Sequence, residues 1–586
     1  MLLLINFKIS CRRFLLIVTG IFFLFGNQLL VAQIQHKQLR KEILESQNPT
    51  NKSSKSKKKQ TKLKPLPALK PVVPVRTPFD LPNVKIIYLE NAELISFDQL
   101  VNPDMQVLVG NVKFRHDNAT LNCDSAHFYR NTNSLTAFSN VKIVQGDTLH
   151  MYGDVLYYDG NTKLARFRDK VKLVNRKTTL TTDSLNYDRN TQLAYYFTGG
   201  KVVDAENTLT SIWGQYSTAS EDALFKTKVK LVNKSFTMES DTLMYNSKTH
   251  IANLVGPTHI LYKDETDIYT DKGWYNTETE RSMLLNRSRL INKDGKSIVA
   301  DTIFYDKSKK FGESFGKVVM NDTVQKSTLK GNYVYYKEEN KLGIATDSAL
   351  LVDWSDAEKP MYIHADTLRT EKDSIFTIAI GWNNARFYRE DLQGLTDSLY
   401  FTTRDSVIHL FKQPVLWQES QQLSADQIHI FTKNKKAEKV HLDQSALSIE
   451  RVDSLYFNQL SGKEITAFMD SGALKRVEVN GNAETIYFAR DDADSTLIGA
   501  NKTVSSLVVM HFIEKKIDRI ILTSASEGTF CPMHLLKDEF IYLPTFFWIE
   551  KQRPKSGEDV FTKHPVGLRP KFDFDVPDKG DSEPKE

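Results

Sequence analysis

The chain has 586 residues, a formal net charge of +6, 26% charged residues and three cysteines. So few cysteines exclude a disulfide framework. The thirteen histidines are scattered, without HExxH or a Cys-x-x-Cys pair, and there is neither a GxxxxGK[ST] loop nor a GxGxxG after a strand, so nothing points to a metal, a nucleotide or another cofactor.

Residues 1–32 read as a secretory signal peptide. Arg12 and Arg13 precede the apolar run "FLLIVTGIFFLF", and the small residue Ala32 stands just before Gln33. Read on through Val31, the same run is the alternative, an uncleaved anchor. Residues 33–82 form a basic, Pro/Lys-rich linker, with eleven Lys/Arg against two Glu between Gln33 and Lys70 and six prolines from Pro65 to Pro82. Its run "KSSKSKKKQTKLK" is either a solvated tether or a contact for an anionic membrane surface or envelope polymer. The rest of the chain is mildly acidic.

From Asn83 onward one phrase recurs: "TTDSLNY" at Thr181 to Tyr187, "ESDTLMY" at Glu239 to Tyr245, "TDSLYF" at Thr396 to Phe401, "VDSLYF" at Val452 to Phe457. With the Asp as phase marker, the phrase falls at 124, 154, 183, 212, 241, 271, 301, 331, 366, 397, 426, 453 and 484, a mean spacing of 30 residues. Ile212, Gly331 and Glu484 are the three markers that are not Asp. Between markers run apolar/polar alternations separated by turns such as "DGNTK" and "NKDGK", the pattern of strands joined by hairpins. Only five prolines lie between Asn83 and Leu543, as expected where most backbone N–H groups join a ladder.

The fold class expected is all-β: an elongated antiparallel β-jellyroll, or folded-over β-solenoid, of about thirteen 30-residue hairpin units. Each marker sits in mid-strand, where a polar residue signals a bend whose freed N–H groups need an acceptor. Asp124, Asp183, Asp241, Asp301, Asp397 and Asp453 are therefore expected as structural corners, since an active site repeated thirteen times has no rationale. Four residues beyond the marker an aromatic stands in eleven of the thirteen units. Phe128, Tyr158, Tyr187, Tyr216, Tyr245, Tyr275, Tyr305 and Tyr335 share one phase, and line either one continuous apolar groove or a closed core. Cys123 and Cys531 read as separate thiols.

The stretch "VLVGNVKFRHDNATLNCDSAHFYRNTNSLTAFSNVKIVQGDTL", Val107 to Leu149, and its echoes resemble the OstA-like, or LptA-like, family of Gram-negative envelope proteins in its long Bacteroidetes-type form. The resemblance implies a periplasmic, non-enzymatic carrier or bridge that shields lipopolysaccharide acyl chains in an apolar groove on the way to the outer membrane. It also implies partner proteins with related β-jellyroll edges, and self-association by strand addition is a further expectation. Nucleic acid is not an expected partner. The alternatives are a structural envelope fibre or adhesin and, further off, a polysaccharide-active β-helix enzyme. The expected domains are a first jellyroll segment at 83–352, a second at 353–550 that ends in a C-terminal cap, and a disordered tail at 551–586. The break is placed at "DWSDAEKP", Asp353 to Pro360.

Overall fold

The computed structural model describes residues 85–562, apart from 99, 101, 264, 338, 340, 373–375, 434–435, 471–472, 492–493 and 514–515. The expected signal peptide and nearly all of the linker lie outside the described residues, as does the tail beyond 562. Among the described residues the secondary structure is 38 strands and a few short 3-10 turns, with no α-helix. No helix there is long and apolar enough to cross a membrane. Internal contacts divide the chain into two compact units, whose described parts fall within 85–263 with 269–280, and 265–268 with 281–562. Residues 354–360 lie inside the second of these, between strands Leu350–Asp353 and Met361–His364, which pair with each other.

Each long strand of the first unit contributes to two arms. Strand Met105–His116 pairs with Ala119–Tyr129, but the register jumps: Val109 faces Ser125 and Val112 faces Cys123, so two residues oppose Asp124 alone. Those two, Gly110 and Asn111, have φ of 86° and 44°. A pair of left-handed residues opposite one residue turns the strand, as a β-bulge does. The same pairs recur at Ser139–Asn140, Asp169–Lys170 and Thr227–Lys228. Asp183 and Asp241 stand opposite such pairs, at the register jumps of their own strands.

The bend also resets which face looks inward. Ala119, Leu121 and Cys123 are buried before it, and Ala126 and Phe128 after it, while Asp124 is exposed. An unbroken period of two would have put the carboxylate on the same face as Phe128. Cys123 is a free, buried thiol, as is Cys531 in the second unit.

The second unit uses the same bends, at Asn286–Arg287, Asn383–Asn384, Lys412–Gln413 and Gln444–Ser445 among others. Asp301, Asp366, Asp397 and Asp426 lie at them. Three markers are displaced. The residue opposite the left-handed Gly316 and Lys317 is Asn332, not Gly331. Asp453 is not a mid-strand corner: it lies in the turn between Lys436–Arg451 and Phe457–Asp470, and its carboxylate accepts from the N–H groups of Leu455 and Tyr456, both at 2.8 Å. The bend of that second strand is at Lys463, opposite Gln444–Ser445, and the next strand bends at its own left-handed pair, Gly481–Asn482, opposite Ser506, so Glu484 lies just beyond a bend and not at one. The last strands are longer, 14 to 18 residues from Phe457 to Ile513, so a 30-residue phase drifts off the bends there.

The C-terminal segment does not cap the end of the stack. From Met533 to Thr562 it runs back along the outside of one arm as a third layer. Outward-facing residues of that arm, among them Trp417, Leu447, Ile449, Phe457, Ile486 and Phe488, are buried beneath Leu543, Phe546, Trp548 and Ile549 of the segment. Each such side chain stabilises by roughly 1.5–3 kcal/mol when fully buried. Residues 551–562, expected in the disordered tail, belong to this layer. Val560 is fully buried, and Arg553 Nε donates to Gln393 Oε1 at 2.8 Å.

Candidate functional site

The bends hold their carboxylates outside. The acceptor expected for freed backbone N–H groups is not the Asp side chain, because backbone carbonyls of the neighbouring bulge take those bonds: Asp366 N to Asn383 O at 2.9 Å, Asp426 N to Gln444 O at 2.9 Å. Asp124 instead accepts from Asn140 Nδ2 at 2.7 Å, Asp301 from Arg287 at 3.3 Å, and Asp397 from Lys412 at 3.0 Å and Ser398 Oγ at 2.7 Å. Burial works against the charge of Asp397, yet Ser398 and Lys412 outweigh it and lower its pKa. Asp183 is exposed, and Asp241 takes only the hydroxyl of Thr242. The buried group that serves the bend is the hydroxyl one residue earlier. Thr182 Oγ1 donates to Gly199 O, and Thr396 Oγ1 to Phe411 O, both at 2.7 Å.

The eight aromatics separate into two groups. Phe128, Tyr158, Tyr187, Tyr216 and Tyr245 are buried, all in the first unit; Tyr275, Tyr305 and Tyr335 are half-buried. Phe128 packs across the interior on Phe114 of the opposite arm, with ring centroids 5.4 Å apart. Tyr275 stands edge-on to Phe236 at 5.0 Å, and Tyr335 lies near Phe311 at 6.1 Å. The first-unit interior is closely packed where the first of these rings lie. Around Phe114, Leu121, Leu135 and Tyr158 the remaining void is about 10 Å³, far too small for a lipid chain.

A series of hydroxyl bonds joins the arms along the mouth between them. Tyr158 OH bonds His116 Nδ1 at 2.7 Å, Asn175 Nδ2 donates to Tyr216 OH at 3.0 Å, and Tyr245 OH donates to Asp204 Oδ2 at 3.1 Å. The partners lie 42, 41 and 41 residues back, at or just past the end of a strand on the opposite arm. Tyr187 meets Thr218 Oγ1 at 3.3 Å, with the Gln145 side chain in hydrogen-bond contact. Burial raises the pKa of each of these phenols, so all four keep their proton at neutral pH.

The first rung gathers further hydrogen-bond partners. His116 Nε2 faces Lys85 O at 2.8 Å, which fixes Nε2 as the donor and leaves Nδ1 to accept from Tyr158. Burial lowers the pKa of this imidazole, in keeping with the neutral form. Arg189, itself buried, donates to Tyr158 OH at 2.6 Å, to His116 O and Asn118 Oδ1 at 3.2 Å, and to Gln145 Oε1 at 3.2 Å. The rungs at Tyr216 and Tyr245 have no such arginine among their bonds.

Two features escape a reading by repeat. The latch partners His116, Asn175 and Asp204 look like ordinary turn-flanking polar residues. The row Gln393, Gln422 and Gln459 clamps the C-terminal layer: Gln422 Nε2 donates to Phe547 O at 2.9 Å while Ile549 N donates to its Oε1 at 3.0 Å, and Gln459 does the same for Ile541 O at 2.7 Å and Leu543 N at 2.8 Å. Each glutamine lies four residues before a bend, at Asp397, Asp426 and Lys463. That coincidence was the available signal, together with the two-sided apolar runs such as "VLW".

Both described ends of the pairing carry exposed apolar edges. Leu94, Ile95 and Phe97 are more than half exposed on the edge strand Leu94–Phe97, and Ile520, Leu522 and Phe530 are exposed on Lys516–Thr523 and Glu527–Pro532.

Residues 84–241 match the family model described as OstA-like protein. Among solved structures, the chain is similar to LptH from Pseudomonas aeruginosa, described as the LptA homologous periplasmic component of the conserved lipopolysaccharide transport device. The identity is 16%, the match covers 18% of this chain and 81% of that one, and the TM-score is 0.17. No curated protein matches the chain.

Proposed function

We propose, taking the OstA-like match of residues 84–241 as premise, that the chain is a non-enzymatic periplasmic lipid carrier or bridge that shields the acyl chains of lipopolysaccharide or a similar glycolipid on the way to the outer membrane. The observation that carries this reading is the mouth of the first unit. An interior lined by Leu108, Phe114, Phe128, Phe167 and their neighbours is sealed along one side by side-chain hydroxyl bonds, not by backbone ladder. Each such bond contributes about 0.5–1.5 kcal/mol net, whereas each lipid CH₂ withdrawn from water contributes about 0.8 kcal/mol. A multi-chain lipid therefore offsets the opening of several rungs. The exposed apolar edge strands suit pairing with related β-edges of envelope transport proteins, or with a second copy of the chain.

Photo-crosslinking in living cells tests this. A photoreactive residue at Phe128, Tyr187 or Tyr245 should capture glycolipid, and one at the exposed turn residues Asn131, Asn190 or Lys248 should not. Equal capture at both sets, or none with the protein folded and exported, would put the structural-fibre reading ahead.

A further inference from the structure

We infer that the outer face of the first unit carries a binding site for a neutral saccharide, in a recess of about 560 Å³ beside the bends of four successive strands. The site is independent of the lipid reading, since its side chains point away from the apolar interior.

The recess follows from one irregular bend. At several other bends the left-handed pair supplies a polar side chain that reaches the corner carboxylate of a neighbouring strand, as Asn140 does to Asp124 and Lys170 to Asp154. Strand Ile251–Tyr262 instead bends at Gly256–Pro257, with Gly256 at φ 133° and open space where its Cβ would be. Neither residue has a polar side chain to extend into the recess, whose rims carry the exposed side chains of Asp271 and of Lys228 from the bend at Thr227–Lys228.

The outward-facing residues next to the bends form the wall. His259 and Tyr269 stack with centroids 4.7 Å apart and planes 10° from parallel, and Tyr269 remains 46% exposed. One face of the phenol is thus covered by the imidazole and the other is open. Beside them Lys230 and Glu239 pair at 2.8 Å. Lys228 and Lys230 balance Glu239 and Asp271, so the recess has no net charge to favour a polyanion.

An open aromatic face, a free cation and a free carboxylate at the rim of a neutral recess match the chemistry of a sugar ring. The apolar C–H face of a pyranose covers the Tyr269 ring, and vicinal hydroxyls donate to Asp271 and accept from Lys228. The volume falls within the range of ordinary ligand pockets and has room for about two rings.

Calorimetric titration of the purified full chain with chitobiose, cellobiose and maltose tests the proposal. We expect saturable binding of at least one disaccharide, weakened tenfold or more by Tyr269→Ala and by Asp271→Asn, with inorganic phosphate failing to compete. Should Tyr269→Ala not fold, Asp271→Asn and Lys228→Ala alter exposed side chains and keep the test intact. No saturable binding of any of the three sugars, binding unchanged in the variants that fold, or full competition by phosphate would each overturn the assignment.

Discussion

Asn175 and Tyr216, 41 residues apart and on opposite arms of the first unit, meet across its mouth at 3.0 Å. The carboxamide closes a seam that the backbone leaves open. Tyr216→Phe keeps the buried ring and removes the bond. It should destabilise by about 1 kcal/mol, and Asn175→Ala should add little in its presence because both remove one interaction. Urea unfolding of the four corners of this double-mutant cycle measures the coupling. Strict additivity would mean that the two groups do not latch the arms.

At the bends the buried hydroxyl outweighs the carboxylate. Thr182→Val leaves Gly199 O without its 2.7 Å donor and should cost about 1–3 kcal/mol, whereas Asp183→Asn, on an exposed side chain, should stay within about 0.5 kcal/mol. Thermal unfolding of the two variants distinguishes them. The reverse order would restore the carboxylate as the group that satisfies the bend.

The C-terminal layer should be a large contributor to the second unit. Trp548→Ala opens a cavity on the outer face and should cost about 3–5 kcal/mol. Gln422→Ala strands Ile549 N, Phe547 O and the Trp417 indole N–H, and should cost at least about 2 kcal/mol. Both should raise the binding of a hydrophobic dye. Unchanged unfolding midpoints would mean that the layer is not held in solution.

Acid should weaken the first unit through Asp117. Burial acts to raise its pKa, but Lys163 at 2.7 Å and Lys85 at 3.1 Å prevail and hold it at about 2. A folded-state pKa below the unfolded value of roughly 3.9 gives stability that is fully present above that value and is lost as the pH falls toward 2. The contribution is about 2 kcal/mol at neutral pH. Lys163→Gln should therefore lower stability at pH 7 and leave it nearly unchanged at pH 2, a difference readable from unfolding curves at the two pH values.

The period of the fold was legible in the chain because strand alternation and turn chemistry are local. "TTDSLNY" and its echoes mark bends from Asp124 to Asp426, and the turns "DGNTK" and "DRNTQ" close the hairpins between them. The phase failed at Asp453 because a bend is made by two left-handed residues on the neighbouring strand, Gln444 and Ser445, and these oppose Lys463. Inward placement of Phe128, Tyr158, Tyr187, Tyr216 and Tyr245 was likewise implied by the sequence, given a bend that resets the register as between Cys123 and Ala126, but the bend at Asn332 falls one residue late and turns Tyr336 inward in place of Tyr335. Only the tertiary structure decided that the mouth beside these rings is latched, since Tyr158, Tyr216 and Tyr245 find His116, Asn175 and Asp204 by the facing of two arms. The tertiary structure also decided that residues 533–562 cover an outer face instead of capping an end. Nothing local distinguishes an apolar residue turned toward one sheet from one turned toward a strap that arrives, for Gln422 and Ile549, 127 positions later.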